Sequence, residues 1–141
     1  MNTIFQKKAL MKALPLIMLG LAVASCQESF EIHVKQSGDV TDFSFFEDRI
    51  FKRSRITPCI QALRVYRMEE ARARKVWGIN PQRGGCVNVD NVRMGTVPQG
   101  FVLFGEALSP LPAGRYRVEV EDDAHRNGAG EFTIPAHAPR G

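Results

Sequence analysis

The sequence lacks the residue patterns on which many enzyme families depend. It contains no Gly-x-Ser-x-Gly elbow, no phosphate-binding Walker loop, no dinucleotide fingerprint and no zinc-protease signature. Its three histidines, His33, His125 and His137, are scattered without metal-ligand spacing. Because nucleophilic catalysis needs Ser or Cys beside His and an orienting acid, we expect no enzymatic activity, no bound metal and no cofactor.

The chain also lacks an excess of basic or acidic side chains once its first 25 residues are left out of the count. Of 19 Lys and Arg, three stand near the start at Lys7, Lys8 and Lys12, which leaves 16 basic against 15 acidic side chains in the rest. A nucleic-acid partner demands a basic domain or a basic face. The balance therefore predicts no nucleic-acid binding.

No hydrophobic run is long enough to cross a bilayer. The apolar stretch at 13–24 has about a dozen residues and contains Pro15 and Gly20, whereas a spanning helix needs roughly 20. Basic residues, a short apolar core and then small residues are typical of a secretory signal that is removed. The sequence predicts such a signal at residues 1–25, and Met11 followed by Lys12 would also head a workable shorter signal.

The end of this segment, Val23-Ala24-Ser25-Cys26, resembles the lipobox of bacterial lipoproteins. The resemblance implies cleavage after Ser25, diacylglycerol on the Cys26 sulfur and acylation of the new amine. Several acyl chains make a stable anchor. Gln27 follows the cysteine, where many lipoproteins retained in the inner membrane have Asp. The resemblance therefore implies an outer-membrane anchor facing the periplasm, with residues 26–29 as a short lipidated tether.

The two remaining cysteines, Cys59 and Cys86, form an even pair separated by 27 positions. In an oxidising compartment such a pair is expected to form a structural disulfide. A metal pair and a redox couple are the alternatives. The metal pair would need further ligands, and the redox couple would usually show Cys-x-x-Cys.

Short alternating segments predict an all-β domain over residues 30–135, followed by a polar tail at 136–141. Tyr116, Val118 and Val120 alternate with charged residues and give the clearest strand. Asn127-Gly128 is typical of a tight hairpin turn, residues 47–58 are expected to form a loop, and residues 68–75 a charged loop or one helical turn. Seven or eight strands are expected, at 30–35, 40–46, 59–67, 76–79, 86–94, 101–104, 115–121 and from Phe132 onward.

Leu111, Gly114 and Tyr116 resemble the tyrosine corner of immunoglobulin-like and fibronectin type III domains. The resemblance implies a small immunoglobulin-like β-sandwich in which Tyr116 is structural. A transthyretin-like sandwich or a small barrel is the alternative. Immunoglobulin cysteines lie about twice as far apart as Cys59 and Cys86, so this bridge is expected to join neighbouring strands, or a loop to a strand.

Two groups of residues are candidate binding sites. The first is an apolar pair flanked by basic residues in the predicted loop, which would contact a partner or a membrane surface, or fold back as a lid over the sandwich. This first group comprises Ile50, Phe51, Lys52, Arg53 and Arg55. The second group is an aromatic ligand platform formed by Trp77 and Tyr66, with Phe51 as a further contributor.

These features predict a lipid-anchored, non-enzymatic interaction module of the cell envelope. Its expected partners are the bilayer, through acylated Cys26, and another envelope protein. A small-ligand or glycan-binding domain is the alternative, and an enzyme of unknown type is the third possibility, because one sandwich fold hosts many functions.

Overall fold

The computed structural model describes residues 29–50, 52–105 and 111–136, and every regular element in these ranges is a β-strand. The predicted signal, Cys26 and most of the tail lie outside the described residues. No helix in the described ranges is long and apolar enough to cross a membrane. The strands are β1 (Ser29–Ser37), β2 (Val40–Arg49), β3 (Lys52–Ile56), β4 (Cys59–Met68), β5 (Ala73–Pro81), β6 (Val87–Asn88), β7 (Asn91–Arg93), β8 (Phe101–Leu103), β9 (Gly114–Asp122) and β10 (Asn127–Ile134).

The strand pairing confirms the predicted all-β, immunoglobulin-like class. The ten strands form one continuous sheet, which folds at β1 into two layers. One layer follows the order β10-β9-β4-β5-β8 with β6 beside β4, the other contains β3 and β2 with β7 beside β2, and β1 pairs with both β10 and β2. The sheet is not closed, so the small-barrel alternative is wrong. The described part of the chain has ten strands, more than the seven or eight predicted, mainly because short edge strands carry little sequence periodicity.

The core lies between the two layers and is built largely by alternation along the strands, although β5 has four buried residues in a row at 76–79. On β9, Tyr116, Val118 and Val120 are buried, while the intervening charged residues face outward. Phe132 of β10 lies between the layers, with its ring centroid 5.8 Å from that of Phe43 on β2. Burying a large apolar side chain contributes about 1.5–3 kcal/mol, so this alternation fixes which face of each strand points inward.

Strand β1 runs parallel to β10, and a glycine makes this close approach feasible. Phe30 pairs with Gly128, and a Cβ atom added at Gly128 would lie 2.5 Å from the Phe30 ring. The expected tight turn at Asn127-Gly128 is therefore wrong. Both residues lie in β10, and the glycine is needed for space and not for a turn.

The predicted disulfide is present and joins Cys59 to Cys86. Cys59 begins β4, which pairs with the short strand β6 directly after Cys86. The bridge thus ties a strand to the segment that leads into its neighbour, as expected from its short span. Loop-closure entropy assigns roughly 3–4 kcal/mol to a loop of this size.

Two further sequence expectations are wrong. Residues 47–58 do not form a loop, because β2 continues to Arg49 and pairs with β3 in a hairpin. Residues 86–94 do not form one strand, because β6 pairs with β4 whereas β7 pairs with β2. The chain crosses from one layer to the other between these two short strands.

Candidate functional site

The hairpin β2–β3 carries the predicted contact surface. Ile50 lies at its turn with 86% of its surface exposed, and Lys52, Arg53 and Arg55 are exposed along β3. Phe51 lies outside the described residues. The exposure of Ile50 contradicts a lid formed by this residue, whereas for Phe51 the lid stays a prediction.

Contacts with neighbouring strands hold two of the hairpin cations in place. Arg53 donates to Glu31 at 2.7 Å, and its guanidinium lies 4.7 Å from the centroid of the Phe46 ring. Arg55 donates to the backbone carbonyl of Asp90 at 3.3 Å. Exposed ion pairs of this kind contribute little to stability, so their effect is to orient the cations along the hairpin.

The aromatic ligand platform predicted from Trp77 and Tyr66 is wrong. Trp77 is fully buried, with 0% exposure, and pairs with Val65 on the core side of β4 and β5. Tyr66 follows Val65, so its side chain points to the opposite face, where it is half-buried. Because Trp77 has no exposed surface, the two rings cannot together present one surface to a ligand.

Tyr116 has the structural position that the tyrosine corner implies. Its hydroxyl donates to the backbone carbonyl of Pro112 at 2.6 Å. Burial raises the pKa of this hydroxyl. A buried phenol that donates to a carbonyl stays protonated and holds the loop before β9 against the sandwich.

An exposed apolar edge is the main feature that sequence reasoning missed. Among the described strands, β8 is the last of its layer and pairs with β5. Val102 and Leu103 are 42% and 38% exposed although they point to opposite faces of the strand, and Phe104 is 46% exposed. We call Val102, Leu103 and Phe104 the β8 edge. Its strand periodicity is visible in the sequence, but its edge position is not.

The β8 edge also carries a positive charge. The Lys75 ammonium lies 3.6 Å from the centroid of the Phe104 ring, and the backbone N–H of Phe104 donates to the carbonyl of Gly78 at 2.8 Å. A cation over an aromatic face is attracted to the ring. This contact holds the Phe104 ring beside β5 and leaves nearly half of its surface in solvent.

A second missed feature is a buried carboxylate between β9 and β10. Asp122 is fully buried and accepts from the backbone N–H groups of Ala124 (3.1 Å) and Arg126 (2.8 Å). Its other oxygen accepts from Nε of Arg126 at 2.7 Å, and Arg126 also contacts Glu47 of β2 at 3.3 Å. The sequence signal would have been an Asp that continues the inward alternation of β9, with Arg four residues later.

Neither the disulfide region nor the outer face of the described sheet has side chains arranged to bind a ligand. Asp123 lies near Cys59 and Cys86, but both sulfurs are already bonded to each other and offer no thiolate to a metal. A shallow cavity of about 250 Å³ opens on the outer face of β4, β9 and β10. Two of its charged side chains, Arg117 and Glu119, pair with each other at 2.9 Å.

Comparison with protein-family models finds no family that matches this chain, and comparisons with curated proteins and with solved structures find no match either.

Proposed function

We propose that this chain is a lipid-anchored, non-enzymatic interaction module of the cell envelope, and that the β8 edge binds an extended segment of another envelope protein. The acylated Cys26 would hold the domain at the outer membrane, facing the periplasm. The observation that carries the proposal is the exposure of apolar side chains on both faces of β8.

An edge strand with unpaired backbone groups is a template for strand addition. Proteins usually protect such edges with charge, proline or a covering segment, and an exposed apolar edge is a hazard unless it has a partner. In β8, the backbone would pair with the added strand, while Val102 and Leu103 would pack against its side chains on opposite faces. The occupant expected from this chemistry is an extended, apolar peptide segment.

The charge near the edge narrows the chemistry of the partner. Lys75 is exposed beside Phe104, and Arg74 next to it pairs with Glu69 at 3.3 Å. An acidic residue beside the apolar segment of the partner would complement Lys75. Charge complementarity of this kind adds to specificity and association rate more than to affinity.

Site-specific photocrosslinking in cells tests the proposed docking edge. A photoreactive residue at position 102 is expected to give a discrete adduct with one envelope protein, and the same residue at position 133, the exposed Thr133 of β10, is expected to give none. The substitution Leu103→Asp, combined with the probe at 102, should abolish the adduct while Trp77 emission stays that of a buried indole. Equal adducts from both positions, or none from position 102, would refute the docking edge.

The anchor is tested separately by the intact mass of the protein extracted from its native membrane. The expected mass is that of a chain starting at Cys26 with added acyl groups, two hydrogens lighter for the disulfide. An unlipidated mass would remove the membrane tether from the proposal. It would leave the docking edge to be judged by crosslinking alone.

A further inference from the structure

The hairpin turn and the start of the folded domain lie at the same end of the sandwich. Strands β1 and β2 are antiparallel, with Glu31 opposite Phe46. The end of β2 that leads into the β2–β3 turn therefore lies beside the N-terminal end of β1. At roughly 3.3 Å per residue, Ile50 lies about 13 Å beyond Phe46, and Cys26 can reach about 17 Å beyond Glu31. The turn therefore lies within about 4 Å of the farthest point that Cys26 can reach in this direction.

The hairpin end combines an apolar tip with basic flanks. Ile50 is the most exposed large apolar side chain of the described residues. Lys52 and Arg53 follow the turn in β3, and both are exposed. Over residues 47–55 the sequence carries four basic and two acidic side chains. One of the acidic pair, Glu47, also contacts Arg126.

We propose that the β2–β3 hairpin tip, with Ile50 inserted and Lys52 and Arg53 at headgroup level, docks on the anionic surface of the bilayer that holds the lipidated Cys26. The inference rests on the proposed lipid anchor. The acyl anchor would already keep the domain at the bilayer, so the hairpin would meet headgroups at a high local concentration and even a weak contact would persist. This second contact would fix the tilt of the domain, because a single attachment point does not define an orientation.

The lysines of the mature chain allow a direct test. After residue 26 the sequence has only three lysines, Lys35, Lys52 and Lys75. Lys35 pairs in register with Asp42 near the β1–β2 turn, at the opposite end of the sandwich from Ser29. Lys75 stands beside the β8 edge. Amine acylation read out by peptide mass spectrometry therefore reports three separate surfaces of the same molecule.

The experiment uses the lipidated chain in vesicles of phosphatidylcholine with phosphatidylglycerol, in vesicles of phosphatidylcholine alone and in neutral detergent micelles, none of which carries a primary amine that would consume the reagent. In the anionic vesicles, the acylation rate of Lys52 is expected to fall about fivefold, the effect of one favourable lysine–headgroup contact, with Lys35 and Lys75 unchanged. High salt should remove most of the protection, because it screens surface charge. Ile50→Ser should remove it too, whereas the matched control Val97→Ser, at another exposed apolar side chain, should leave it intact.

Three outcomes would overturn the assignment. The first is a Lys52 acylation rate equal in anionic vesicles and micelles. The second is equal protection by phosphatidylcholine, which would exclude a role for anionic headgroups. The third is protection of Lys52 in native membranes but not in protein-free anionic vesicles, which would assign the hairpin to a protein partner. The intact mass, measured on the same sample, separates these outcomes from a missing lipid.

Discussion

Removal of the buried Asp122 carboxylate is expected to be among the most damaging single substitutions in this domain. The side chain is fully buried, and it accepts two backbone N–H groups and the Nε of Arg126. A hydrogen bond to a charged group contributes about 1.5–3 kcal/mol, and breaking a buried ion pair by removing one partner costs about 3–5 kcal/mol. These contributions overlap, so we expect Asp122→Ala to cost about 3–5 kcal/mol.

A graded series separates the backbone contacts from the charge. Asp122→Asn keeps one acceptor oxygen for the N–H groups of Ala124 and Arg126 but turns an amide N–H toward the guanidinium. Its expected cost is about 2 kcal/mol, close to one charged hydrogen bond. The adjacent Asp123 is exposed, and Asp123→Ala, as a matched control, should change the stability by less than about 0.5 kcal/mol.

Urea denaturation of the oxidised protein measures these differences. Trp77 is the only tryptophan in the chain and is fully buried, so its emission reports unfolding directly. A double-mutant cycle between Asp122→Asn and Arg126→Gln should give a coupling energy of about 1–2 kcal/mol, because the two side chains are in contact. Equal midpoint shifts for Asp122→Ala and Asp123→Ala would refute the role assigned to the buried carboxylate.

Four further perturbations test other parts of the structure. Reducing the disulfide should lower the free energy of unfolding by roughly 3–4 kcal/mol, measured by the same urea titration with and without reductant. Gly128→Ala should destabilise the domain by about 1–3 kcal/mol, because the new methyl group would overlap the Phe30 ring; an unchanged thermal midpoint would contradict the close approach of β1 and β10. Tyr116→Phe should cost about 1–2 kcal/mol, because it removes one buried hydrogen bond and leaves a carbonyl unsatisfied; a thermal midpoint equal to that of the unmodified protein would argue against the corner. The hydrogen bond from Arg93 holds the pKa of Asp42 below its usual value, so the stability from this pair is present at neutral pH and is lost as the pH falls through that lowered pKa; Arg93→Gln should flatten this part of the acid-unfolding profile.

The parts of the fold that follow from local pattern were predictable. The alternation of Tyr116, Val118 and Val120 identified β9, because a strand with one wet and one buried face has a period of two. The pairing of Cys59 with Cys86 followed from the even count of cysteines in the expected compartment. Both inferences use residues whose roles depend on their near neighbours in the sequence.

The wrong predictions concern residues whose roles depend on distant strands. Strand β3 is an edge strand with charged residues on its exposed positions, so it lacks an apolar period and resembles a loop in sequence. The sequence around Gly128 predicts a turn, because nothing nearby shows that Phe30 occupies the space beside it. The sequence around Trp77 does not reveal its burial, because exposure depends on how the two layers pack. The β8 edge was missed for the same reason, since a sequence does not show which strand ends a sheet.

The pairing of β1 on both sides has a mechanical consequence for a tethered domain. If the proposed anchor holds the N-terminus at the membrane and the proposed partner binds the β8 edge, tension between them would enter the domain at Ser29 and run along β1. Seven residue pairs with β2 and three with β10 resist that tension in shear. Pairs loaded in shear must break together, whereas pairs pulled apart from one end break in sequence. The first strand is therefore placed to act as a force-bearing clamp, and single-molecule pulling from residue 29 should meet its main resistance there.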